Sequence, residues 1–365
     1  MNTSSIAQEI ALQLIAIDTS KQNGIHSAMN WIETWCKAQG LLIKRIPHTK
    51  AILIETHPEA QKHVNFVTHI DVVPADGWNE AFTPLVKNNC LIGRGAVDDK
   101  GPLAICLEVL VKAQQHSHIN VSCLIVTDEE TQNTEIQEIT KANTFHPDLC
   151  IVVDGGTHKV FDIGQKGIIR FDVSIQTPGG HSAFEEVEKS ASIQLLQFIS
   201  DLEKLAITFP HHVAFSKTFI NVSKISAATV PYGLPTLAIA HIELQFAPPQ
   251  TSEEWRNQIN QLLGKFNEYE LNIHWISEPH MLENQKFLNL LHSLPNVRCV
   301  TTGGNNLAKD LCLAGVPAVS HCPVSEYIAH CKEEKINLID FKKGVHSYLK
   351  IIELFCENYD DLTKK

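Results

Sequence analysis

The chain has no CxxC pair, no long apolar run, no low-complexity tract and no internal repeat. It is also short of positive charge: 30 lysines and arginines stand against 41 aspartates and glutamates, a formal net charge of −11. That balance argues against a nucleic-acid binder and gives no reason to expect an anionic membrane surface as partner. Without a stretch approaching the roughly 20 apolar residues of a membrane span, no transmembrane segment is expected. The ten cysteines are scattered singly, several in apolar surroundings, such as Cys106, Cys123, Cys150 and Cys312. In a chain of this length they read as reduced thiols and not as a disulfide frame. The opening MNTSSIAQEIALQLIAID lacks a basic leader region. It reads as an amphipathic helix capped near Thr3 or Ser4, not a signal peptide. These absences together predict a soluble, cytoplasmic protein.

What is present is an ordinary globular balance, 44% apolar and 19% charged, over 365 residues. That length predicts two domains. Residues 1–167 alternate helical and strand patterns, which predicts an α/β fold with a buried, mainly parallel central sheet. Residues 168–277 change character, with period-2 strands at IIRFDVSI, TFINVSKI, TLAIAHIELQF and LNIHWIS. Helical stretches near 188–204 and 252–266 complete a β-α-β-β-α-β order, the ferredoxin-like arrangement. The α/β pattern resumes over 278–365, so the middle segment reads as an inserted domain. Its sheet edges need cover, and dimerisation supplies one kind.

The stretch VTHIDVVP (67–74) ends an apolar, strand-like run. Residues i and i+2 of a strand share a face, so His69 and Asp71 point the same way. An exposed strand end with an incidental His–Asp hydrogen bond would explain them alone. Two further strands, however, run into acids: VSCLIV into Thr127-Asp128-Glu129-Glu130, and LCIVV into Asp154. Sites in open α/β sheets form beyond the carboxyl ends of strands. Carboxylates converging there repel one another unless a cation sits among them. A divalent metal site with His69 as ligand, and Asp71 holding its other ring nitrogen, answers that repulsion. GRGAVDDKG (93–101) adds Asp98 and Asp99 ahead of a helix. Asp99 also suits a helix cap.

HIDVVP, then GRGAVDDKG, then TDEE resembles the zinc metallopeptidases that include acetylornithine deacetylase, succinyl-diaminopimelate desuccinylase, aminoacylase and glutamate carboxypeptidase. The likeness covers essentially the whole chain, the inserted lid and dimerisation domain included. It implies two divalent ions, zinc first with cobalt or manganese able to serve, bridged by Asp98. One ion would also take His69 and Asp154. The other would take Glu130 and a histidine in an AHxxxE-like stretch, matched here by AHCKEE with His330 and Glu334. His321, directly after the strand GVPAVS, is the competing choice from the residues alone. The resemblance makes Glu129 the general base for a metal-activated water. It implies a substrate-side histidine at His181 in TPGGHSAF, and an oxyanion-stabilising histidine reaching across a dimer, better matched by His211 than by His212.

Departures gather on substrate recognition. Where relatives read GGTSDAR, this chain has GGNNLAKD, with Leu307 and Lys309 at the Asp and Arg positions. Asn305 and Lys309 are the candidate substrate contacts there, the lysine pairing a carboxylate without a bidentate fork. Glu185 stands for a usual proline, HCP for FGP, and VDGG with Asp154 for GEP. The expected activity is hydrolysis of the amide bond of an N-acyl amino acid, with a dipeptidase or carboxypeptidase as alternative. A non-catalytic, ligand-binding relative is the rival from another class. A phosphoesterase is disfavoured, because no glycine-rich or basic phosphate cradle accompanies the motifs.

Overall fold

A computed structural model describes residues 5–184, 186–209, 212–228, 231–304 and 306–363. Two compact units emerge, one comprising Met1–Ile163, Leu282–Val300 and Asn306–Lys365, the other Gly164–Met281 with Thr301–Asn305.

The first unit is built on a mixed sheet whose four central strands are parallel, in the order Ile119–Val126, Lys62–His69, Leu149–Val152, Ala318–Ser320. Antiparallel strands Ile52–Glu55 and then Leu42–Arg45 flank one side, and Asp162 of Val160–Gln165 pairs with Ser320 on the other. Every residue of Ile119–Val126 is buried, as expected of a parallel strand covered on both faces. Its polar members are paired: Ser122 Oγ accepts from Asn65 Nδ2 at 2.6 Å. The helix Lys100–Ala113 packs against Lys62–His69 and Ile119–Val126, with Pro102 in its first turn, where the missing N–H costs nothing.

The first helix, Ile6–Ile15, is capped by Ser5 and not by Thr3 or Ser4, which lie outside the described residues. Ser5 wins because Gln8 stands three positions on. The serine oxygen accepts the Gln8 amide and the Gln8 side chain accepts the Ser5 amide, closing a reciprocal box. Asp99 stands at the N-cap of Lys100–Ala113 but makes no capping hydrogen bond. It is buried instead and accepts the Thr68 hydroxyl.

In the second unit, strands Gly167–Gln176, Phe219–Ala228, Leu237–Phe246 and Glu268–Ser277 alternate with helices Ala191–Thr208 and Ser252–Leu263. The antiparallel sheet runs Phe219–Ala228, Leu237–Phe246, Gly167–Gln176, Glu268–Ser277. Strict alternation along Leu237–Phe246 turns Ala238, Ala240, Ile242, Leu244 and Phe246 into a core with the two helices. The unit runs beyond 168–277, because His280–Met281 pairs with Gln165 and Gly164, and Thr301 donates its hydroxyl to the Ala214 carbonyl. A two-residue ladder carries no periodic signal in sequence. No helix among the described residues is long and apolar enough to cross a membrane.

Trp255 is wholly buried in that core, packs on Phe246 and Phe209, and donates Nε1 to Gln250 Oε1 at 2.9 Å. Trp255→Ala should therefore destabilise the second unit by about 3–5 kcal/mol, read as an earlier urea transition. An unchanged midpoint would disprove this packing.

Candidate metal centre

Three parallel strands deliver their functional residues to one edge of the first unit's sheet. His69 ends Lys62–His69 and pairs with Val126, the last residue of its neighbour, after which come Thr127 to Glu130. The ladder continues one residue further on both sides: Ile70 N donates to Val126 O, and Val153 N to Val67 O. Asp154 follows directly. Parallel pairing thus places His69, Glu129, Glu130 and Asp154 at the carboxyl ends of adjacent strands.

Two overlapping donor groups result. Ligand-type atoms of His69, Asp98 and Asp154 lie within 4.8 Å of one another, as do those of Asp98, Glu130 and His330. Asp98 belongs to both. His69 Nε2 lies 3.0 Å from Asp98 Oδ1, and His330 Nε2 lies 3.1 Å from Asp98 Oδ2 and 2.9 Å from Glu130 Oε1. His330 takes a left-handed backbone, φ 59°, costly for a side chain bearing Cβ and tolerated where surroundings fix it.

Further carboxylates hold this arrangement through main-chain amides. Asp71 accepts from Glu130 N at 2.9 Å and Glu129 N at 3.3 Å. It is the Asp71 carbonyl, at 3.0 Å, that meets His69 Nδ1, with the carboxylate farther away at 3.4 Å. The expected brace on the ring therefore comes chiefly from the backbone, because the carboxylate is occupied by the two amides. Glu334 accepts Val97 N at 3.0 Å and Asp98 N at 3.2 Å, and is paired with buried Arg94 at 2.9 Å. Asp128 accepts the Thr134 amide and hydroxyl at 2.7 and 2.6 Å, anchoring the helix Thr134–Lys141. The TDEE turn is thus divided: Asp128 ties down the loop, and Glu129 and Glu130 face the site. Tyr327, absent from the sequence-based site, donates its hydroxyl to Asp154 Oδ1 at 2.6 Å. Its only sequence signal is its place three residues before His330.

The electrostatics carry the mark of crowding. Burial works to raise Asp98, but hydrogen bonds from His330 and His69 outweigh it and hold the carboxyl well below the usual carboxylate range. Burial, then the charge of Asp98, pushes Asp154 up to about 6. Burial pushes Glu129 up to about 8, with Asp154, Glu130 and Asp98 adding repulsion against the pull of His69. Hydrogen bonds with Asp98 and Glu130 raise His330 to about 10. The rings of His69 and His330, each within hydrogen-bond distance of Asp98, offset part of this crowding. Two divalent cations fit the same donors, since imidazole nitrogens and carboxylate oxygens suit zinc, and cobalt or manganese also.

The remaining sequence-predicted residues fall elsewhere. His321 is not in either donor group. It is buried, stacks on Phe161 with ring centroids 4.3 Å apart, and burial pushes its pKa down to about 4. His181 belongs to the second unit, is exposed, and accepts Ala183 N at 3.1 Å. His211, Asn305 and Glu185 lie outside the described residues. Leu307 is wholly buried in an apolar cluster with Val152, Ala318 and Leu311. Lys309, two positions on in the helix Leu307–Leu313, is 2% exposed, and that helix packs on Leu149–Val152 and Ala318–Ser320.

The model of peptidase family M20/M25/M40 matches residues 66–354, which include every residue of both donor groups. Solved structures agree in fold. An M20-family metallo-carboxypeptidase of Sulfolobus solfataricus aligns with a TM-score of 0.73 at 18% identity, covering 96% of this chain and 99% of its own. The aminopeptidase PepT of Bacillus cereus aligns at 0.75 and 14%, covering 96% and 98%. A tripeptidase of Staphylococcus aureus aligns at 0.71 and 18%, covering 96% and 97%.

The raised Glu129 makes a stability prediction for chelator-treated protein. A carboxyl whose folded pKa is raised loses stability as pH climbs from its unfolded value, near 4.5, through about 8. Glu129→Gln should therefore stabilise the chelated fold by about 1–3 kcal/mol at pH 8, the gain vanishing towards pH 4.5. Thermal melts across that range check it, and a pH-independent difference would contradict it.

Proposed function

Because the chain belongs to peptidase family M20/M25/M40, we propose that this metallohydrolase of C–N bonds cleaves the terminal amide bond of short peptides at a two-metal centre. The single observation that carries the reading is the pair of donor groups sharing Asp98, with Glu129 beside them. His69, Asp98 and Asp154 would hold one ion, and Asp98, Glu130 and His330 the other, zinc first. Bound there, divalent ions supply Lewis-acid charge that polarises a scissile carbonyl and acidifies water.

Glu129 does the proton work. Burial and electrostatics dominate its environment, and no hydrogen bond fixes its carboxylate among the described residues. It accepts a proton from the attacking water and passes it to the leaving amine. Asp71, gripping the Glu129 and Glu130 amides, keeps base and ligand on opposite duties. The names of the relatives, a carboxypeptidase, an aminopeptidase and a tripeptidase, favour peptides as substrate, as does Asp154 in place of the deacylases' Glu. Deacylation of an N-acyl amino acid, of the acetylornithine or succinyl-diaminopimelate type, is the second reading, favoured by the resemblance of HIDVVP, GRGAVDDKG and TDEE to those enzymes. His181, His211, Asn305 and Lys309 are its proposed substrate contacts. All ten cysteines are unpaired, which fits a reducing cytoplasm.

A homodimer through the second unit belongs to the same reading. Helix Ala191–Thr208 exposes Ile193, Leu196 and Ile207, and the edge strand Phe219–Ala228 exposes Phe219 and Ile225. An apolar edge of this kind calls for cover. Light scattering after gel filtration should give twice the chain mass, and Ile225→Lys with Leu196→Glu should give one. A wild-type monomer at micromolar concentration ends the dimer proposal.

Amine release from dipeptides, tripeptides, N-acetylornithine and N-succinyl-diaminopimelate, each with zinc, cobalt or manganese, tests the activity. Peptides are expected to turn over, with Glu129→Gln about 10²–10⁴-fold slower at unchanged metal content. Turnover of the acyl compounds alone would install the second reading. Metal uptake without any turnover would leave a binding protein.

A further inference from the structure

Three of the predicted donors are held within the first unit at a backbone amide or at the second ring nitrogen, away from the ligand atom itself. The Asp71 carbonyl meets the second ring nitrogen of His69, Glu334 takes the Asp98 amide, and Asp71 takes the Glu130 amide. Asp154 differs. Among the described residues, the hydrogen bond to its carboxylate comes from the Tyr327 hydroxyl, at 2.6 Å. An ionised carboxylate only accepts, so the phenol must donate, and one Asp154 oxygen is committed to it. A short aspartate arm with one oxygen held can turn neither its plane nor its second oxygen freely.

Tyr327 also sits in the segment that supplies His330, three residues on, and Glu334, seven residues on. One stretch therefore braces a donor of the first group, contributes a donor to the second, and anchors the loop of the shared Asp98. The first group is the more deeply buried of the two.

We propose that Tyr327 is a positioning residue whose hydroxyl fixes the Asp154 carboxylate and so makes His69–Asp98–Asp154 the tighter of the two cation positions. This rests on the two-metal reading above. Partners of ligating groups typically change metal affinity about 10–100-fold when removed.

The test is a cobalt titration of chelated full-length protein, followed by visible absorption and calorimetry. Wild type is expected to bind two ions in separable steps. Asp154→Asn identifies the step belonging to the buried group by abolishing it. Tyr327→Phe, which removes only the hydroxyl, should weaken that same step about 10–100-fold and leave the other unchanged, with the chelated variant melting as wild type does. Wild-type affinities in both steps, or equal weakening of both, overturn the proposal. A lower melting point with unchanged affinities also overturns it, assigning the hydroxyl to folding alone. A wild type that takes up no cobalt defeats the metal reading itself, an outcome separate from any difference between the variants.

Discussion

The structure of the first unit is organised around a repulsion. Four acids, Asp98, Glu129, Glu130 and Asp154, influence one another at the carboxyl edge of a parallel sheet. Two like charges 4 Å apart cost about 4 kcal/mol at an effective dielectric constant of 20. A fold of ordinary stability does not carry several such pairs without an opposing charge. His69 and His330, both touching Asp98, supply part of that opposition, and the geometry they form is a cradle for cations. Strand order, loop anchoring and the strained backbone of His330 all serve to keep the acids close in spite of the cost.

Backbone amides do most of the holding. Asp71 binds two successive amides of the Glu129–Glu130 turn, Glu334 binds two successive amides at Val97–Asp98, and Asp128 binds the amide start of the helix Thr134–Lys141. An acid used in this way spreads its charge over fixed N–H dipoles and locks a loop without entering the site. Glu334 must in turn be neutralised, because it is wholly buried, and Arg94 beside it is nearly so. A buried pair of this kind contributes little net stability but is costly to break from one side. Its value here is that it fixes where Asp98 emerges.

Much of the donor set was legible in the sequence because it lies on the most regular part of the fold. Apolar runs ending in His69, Thr127–Glu130 and Asp154 announce parallel strands, and parallel strands bring their ends together. His330 needed the resemblance, since residues alone equally offered His321. The difference is one of packing: His321 continues a strand and is enclosed by Phe161 and Tyr348, whereas His330 lies on a loop turned by its own positive φ. Tyr327 and the true partners of Asp71 were not legible. A hydroxyl or carboxylate gives no periodic trace of which partner it will meet 173 or 58 residues away. The Ser5 cap is legible only through its reciprocal partner Gln8, three positions on, because Thr3 and Ser4 are equally good capping residue types.

The altered recognition segment also takes on physical meaning. In the sequence, Leu307 looks like a lost polar contact. In the fold it is a wholly buried core residue, in one cluster with Val67, Val126 and Val152 on the strands that carry the site edge. An aspartate there would have to be desolvated among apolar neighbours, so a leucine at this position supports the sheet and exposes no unsatisfied charge. Asn306 next door caps the helix Leu307–Leu313, accepting Ala308 N, and donates to Ser320 Oγ at 2.6 Å. The departure from GGTSDAR therefore leaves both donor groups and Glu129 intact. The predicted donors lie at strand ends and on loops, whereas Leu307 and Lys309 lie on a helix packed behind those strands, so that helix can differ from GGTSDAR while the donor groups are kept.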